Sequence, residues 1–82
     1  MQLKFLVSKE LRAKWERLGF QYYHTDKDGY KEVFFMNRDK KATITFKHGF
    51  KGRMVLDTTN LEVDATLEDI IEETRKELGL LW

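Results

Sequence analysis

Eighty-two residues carrying a net charge of +1 make one domain, large enough for a single modest core and too small for a core plus a separate catalytic lobe. The absence of cysteine excludes a disulfide framework, thiolate chemistry and a cysteine-based metal site, and it suits a reducing compartment. No apolar run approaches the length of a membrane span, and the opening residues 1–7 are too short and too interrupted by Lys4 for a signal peptide, so a soluble, cytoplasmic protein is expected.

Leu3, Phe5 and Val7 alternate with Gln2, Lys4 and Leu6, the pattern of a short first strand. Ser8 is placed to cap a helix running through Leu18, with Leu11, Trp15 and Leu18 on its apolar stripe. Gly19 then supplies the left-handed residue that ends the helix, and Phe20 falls where a Schellman-type ending folds it back onto Trp15. From Phe20 the period changes to two. Residues 20–24 and 30–36 read as strands, and 25–29 between them contain the Asp28-Gly29 pair of a hairpin turn. After a turn at 37–41, residues 42–46 and 53–57 read as two more strands, giving an antiparallel meander.

The last element is the clearest. Leu67, Ile70, Ile71, Thr74 and Leu78 share one helical stripe, with charged residues elsewhere around the helix. Thr66 is the expected N-cap, with Asp69 three residues on, and Gly79 the expected stop. The apolar tail Leu80-Leu81-Trp82 is expected to dock on its own sheet or on a neighbour.

The expected fold is therefore a single α+β domain over residues 1–82. It has an antiparallel four- to five-stranded sheet with two helices on one face, in the order β-α-β-β-β-β-α. Phe5, Tyr22, Phe34, Met36, Ile44, Phe46, Met54 and Leu56 are assigned to the covered face. Tyr23, Val33, Phe35 and Val55 are assigned to the other, among Gln21, Lys31, Thr43 and Thr45. If both helices lie on the first face, Tyr23, Val33, Phe35 and Val55 form an exposed apolar patch, which with Leu81 and Trp82 is a candidate self-association surface. A helix on each face would remove it.

Charge is unevenly distributed along the chain. Residues 1–56 hold thirteen Lys/Arg against six Asp/Glu, and residues 57–82 hold two against eight. Residues 40–53 carry five cations and no acid, with Phe46 and Phe50 interleaved. Cations neutralise phosphates and aromatic faces stack on unpaired bases, so Lys40, Lys41, Lys47, Phe50, Lys51 and Arg53 are candidate nucleic-acid contacts. The competing reading is a solvated hairpin rim with Phe46 in the core.

Catalytic readings are constrained by inventory, and no enzyme, cofactor or metal site is expected. Ser8 is the only serine and is wanted as a cap, while His24 and His48 are the only histidines and fall in or beside different turns. Residues 24–29 resemble a calcium loop, but aligning Gly29 with its invariant glycine puts Phe35 where the bidentate Glu belongs. Glu72 and Glu73 are adjacent and point apart around a helix, and no phosphate-cradling glycine motif is present.

The ending from Ala65-Thr66-Leu67-Glu68-Asp69-Ile70-Ile71 to Glu77-Leu78-Gly79-Leu80-Leu81-Trp82 resembles the close of many small uncharacterised proteins encoded by phages and prophages of Gram-positive bacteria. In those, a short meander rich in Tyr, Phe and Lys runs into a Thr-Leu-Glu-Glu helix that stops at Leu-Gly-Trp. Here Leu80 and Leu81 separate Gly79 from Trp82, and a strand and a helix are added in front. The resemblance implies a small accessory protein that acts by binding. The expected function is a non-catalytic interaction module with a homo-oligomeric or other protein partner, and the alternative is nucleic-acid binding by the basic 40–53 hairpin.

Overall fold

The computed structural model describes residues 5–27, 30–48 and 53–81, with residues 80 and 81 described by backbone alone. Its elements are α1 (Lys9–Arg17), β1 (Gln21–Lys27), β2 (Tyr30–Asn37), β3 (Ala42–His48), β4 (Met54–Thr59) and α2 (Ala65–Leu81). The strands form one antiparallel meander in the order β1-β2-β3-β4, and both helices lie side by side on one face of it. Among the described residues the order is thus α-β-β-β-β-α.

The expected first strand is the missing element. Residues 5–7 are not in the sheet, and 1–4 lie outside the described residues. Leu6 and Val7 are both buried in the core. Consecutive strand side chains point to opposite faces, so a strand would have exposed one of the two. The segment instead crosses the end of the core, where the Leu6 amide donates to the Tyr22 hydroxyl at 3.0 Å.

α1 begins and ends as its sequence requires. Ser8 Oγ accepts from the Leu11 amide at 3.3 Å. At the other end Gly19 sits at φ 89°, its amide donates to the Glu16 carbonyl and the Phe20 amide reaches back to the Trp15 carbonyl, the two bonds of a Schellman ending. Phe20 consequently meets Trp15 edge to face with centroids 5.2 Å apart.

α2 departs from expectation at both ends. Its cap is Asp64, whose Oδ1 accepts from the Leu67 amide at 2.8 Å and whose carbonyl accepts from Glu68. A carboxylate at the positive end of the helix dipole is a stronger acceptor than the Thr66 hydroxyl. Gly79 does not end the helix, which continues to Leu81. Glycine permits a left-handed turn without compelling one, and no described residue lies within 4 Å of where a Cβ would stand.

Trp15 is the centre of the core. Fully buried, it stacks on Phe35 with centroids 4.1 Å apart and planes 13° from parallel, and it meets Phe46 edge-on. Its Nε1–H donates to Thr74 Oγ1 at 2.9 Å, and that hydroxyl donates onward to the Ile70 carbonyl at 2.7 Å. Sheet, α1 and α2 thus meet at one side chain whose single polar atom is satisfied.

Candidate functional site

Cross-strand partners share a face, so the register defines both faces of the sheet. Lys27 pairs with Tyr30, and the same alignment sets Tyr22 opposite Phe35 and Tyr23 opposite Phe34. Phe35 faces Ile44 in turn, and Val33 faces Phe46. The covered face therefore carries Tyr22, Val33, Phe35, Ile44, Phe46 and Leu56. Here β2 corrects the sequence expectation. Val33 and Phe35 are fully buried under the helices, and Phe34 and Met36 take their place on the opposite side. Residues 33–36 are all apolar, so alternation along β2 cannot say which pair points inward. The pairing that aligns Lys27 with Tyr30 fixes every pair after it, and the expected Asp28-Gly29 turn lies outside the described residues.

On the opposite face no described residue covers the sheet. One row across it is Gln21, Met36, Thr43 and Thr59, the next Tyr23, Phe34, Thr45 and Asp57, and the third Thr25, Glu32, Lys47 and Val55. Tyr23 and Phe34 stack at 5.4 Å with planes 14° apart, and the Tyr23 hydroxyl donates to Gln21 Oε1 at 2.9 Å. Tyr23 and Val55 are 36% and 40% exposed, while Phe34 and Met36 are half-buried. Tyr30 donates to Glu32 Oε2 at 2.6 Å, and loss of that bond to a carboxylate on ionisation raises the Tyr30 pKa. Of the expected self-association residues, Tyr23 and Val55 lie on this open face. Leu81 is described by backbone alone, and Trp82 lies outside the described residues.

The basic stretch is not one surface among the described residues. Lys40 and Lys41 sit in the turn between β2 and β3, Lys41 at φ 49°, whereas Lys47 lies near the far end of β3 and Arg53 just before β4. The intervening strand separates the two groups by roughly 20 Å at about 3.3 Å per residue. Phe46 is buried, and Phe50 and Lys51 lie outside the described residues. Lys47 stands between Glu32 and Val55 in the register.

The residues weighed for catalysis have structural partners. The Ser8 amide donates to Glu77 Oε1, and its hydroxyl donates to Glu77 Oε2 at 3.1 Å, so Ser8 caps α1 and ties it to α2. His24 packs against Tyr22 and Phe5, with centroids 5.3 and 6.4 Å away. His48 closes β3. Glu73 pairs with Lys14 at 2.9 Å between the helices, on a different side of α2 from Glu72. Among the described residues no three His, Asp or Glu gather as metal ligands, and no helix is long and apolar enough to cross a membrane.

No protein-family model, curated protein or solved structure matches this chain. What the fold and the site define is a class by architecture: a two-layer α+β domain whose meander is covered by helices on one face and, among the described residues, open on the other.

Proposed function

We propose that the protein is a non-catalytic interaction module that self-associates through the open face of its sheet. The observation that carries this reading is the stacked Tyr23–Phe34 pair on a sheet face that no described residue covers, flanked by Met36 and Val55. Aromatic side chains and Met are what interface centres are enriched in, and threonines between them add polar partners without charge. A second copy suits the face electrostatically. It carries Glu32 and Asp57 together with Lys47, and a surface holding both signs can complement itself across a two-fold axis. The resemblance of the C-terminal stretch to phage and prophage proteins supports an accessory role as its setting.

Sedimentation of the purified chain tests the proposal. A dimer is expected that Tyr23→Ser with Phe34→Ser converts to a monomer of unchanged far-UV circular dichroism, and a wild-type monomer at high concentration overturns it. The competing reading is a nucleic-acid ligand for Lys40, Lys41, Lys47 and Arg53. It requires single-stranded DNA or RNA binding that weakens steeply with salt and falls on Lys40→Ala with Lys47→Ala. The separation of these cations and the acids beside Lys47 favour the protein partner.

A further inference from the structure

The two edges of the sheet differ in what lies beside them. Beside β1, residues 5–7 pack on the Tyr22 side chain, and the Arg12 guanidinium lies over the Phe5 ring at 3.6 Å while its Nε–H donates to the Val7 carbonyl. Along β4 no described strand pairs with the outer edge, so alternate residues of Met54–Thr59 turn backbone donors and acceptors outward. Between that edge and α2 runs a groove of about 510 Å³ with Leu56, Val63 and Ile71 among its apolar lining and Glu68, Asp69 and Glu72 on its rim. Arg75 is the one cation lining it among the described residues. The single ion pair among the described residues is Lys14–Glu73 on the other side of α2, so the three rim carboxylates are not engaged by Arg75.

We propose that a basic extended peptide of a partner protein docks here as a fifth strand on β4, its Lys or Arg side chains lying along the groove towards α2. Strand addition gives affinity through backbone bonds and specificity through alternate side chains. Long cationic side chains match this groove because their alkyl stems can lie on Leu56 and Ile71 while their heads reach Glu68 and Glu72. The occupant has the charge opposite to the groove's. This surface is separate from the open face and does not depend on the dimer.

The test is a titration of the isotopically labelled full chain with a short synthetic peptide alternating lysine with threonine, followed by amide shifts and hydrogen exchange. Shifts are expected over residues 54–59 and the first half of α2, with slowed exchange at the outward amides of β4 and an affinity that falls with salt. Glu68→Lys with Glu72→Lys should weaken binding by about tenfold or more, whereas Phe34→Ser should leave it unchanged. The proposal is overturned by no binding at low salt, by equal binding of the same peptide with glutamate for lysine, or by shifts confined to Tyr23 and Phe34. Outward β4 amides already protected without peptide would also overturn it, since a second copy would then hold the edge.

Discussion

Phe34 and Phe35 are neighbours with the same side chain, and the fold uses them for opposite purposes. Phe35 is fully buried against Trp15, and Phe34 stacks on Tyr23 on a face that no described element covers. Their difference comes from register alone, since a one-residue slip of β2 would exchange them. The covered face holds the buried core, and the open face carries Tyr23 and Phe34 where no described residue covers them.

The largest effect that tests this contrast is the pair of serine substitutions. Phe35→Ser should cost about 3–5 kcal/mol of unfolding free energy in a denaturant titration, from lost burial and the cavity left under Trp15. Phe34→Ser should cost about 1 kcal/mol, the scale of one aromatic pair, and equal costs would break the comparison. Thr74→Val keeps the volume on the covered side but leaves Trp15 Nε1–H buried without an acceptor, so a loss of about 1–3 kcal/mol is expected.

Gly19→Ala places a side chain at φ 89° with its Cβ 3.1 Å from Asn37 Nδ2, and a loss of about 1–3 kcal/mol should follow. The same change at Gly79 should act in reverse, stabilising by about 0.5–1 kcal/mol, because that glycine lies inside a helix with no described residue within 4 Å of its Cβ position. The smallest effect is one of pH. Burial raises the Tyr22 pKa above 10.0, partly offset by its hydrogen bond from the Leu6 amide and by Arg12. Folding thus favours the neutral phenol, a contribution whole below pH 10 and lost as pH rises beyond it, so stability should decline in that range and Tyr22→Phe should remove part of the slope.

Much of this architecture was legible in the sequence. The stripe through Leu67, Ile70, Ile71, Thr74 and Leu78 and the Leu18-Gly19-Phe20 ending mark the two helices, whereas their lying on the same side of the meander rests on the Trp15–Thr74 contact and not on the pattern. What escaped had local physical causes. Residues 33–36 are apolar on both parities, Leu6 and Val7 are buried in succession where a strand must alternate, and Leu-Gly closes α1 but not α2. In the first helix Gly19 abuts Asn37, whose Nδ2 donates to the Leu18 carbonyl and whose Oδ1 accepts from the Lys40 amide. Gly79 has no such neighbour among the described residues. The open face was expected, but half of its apolar residues were assigned to the wrong parity. The groove beside β4 was not visible at all, because it combines residues from three separate stretches of chain.

The bond between Ser8 and Glu77 spans 69 positions, and that between Trp15 and Thr74 spans 59, whereas every strand pairs with its neighbour in sequence. Closing a long loop costs more entropy than closing a hairpin, so the strands can find one another early and the helices can clasp only after the chain between them is compact. The clasp is therefore expected to form late in folding and to open early in unfolding. Weakening it should hasten unfolding while leaving the folding rate nearly unchanged, which makes the junction of the two helices the kinetic latch of the domain.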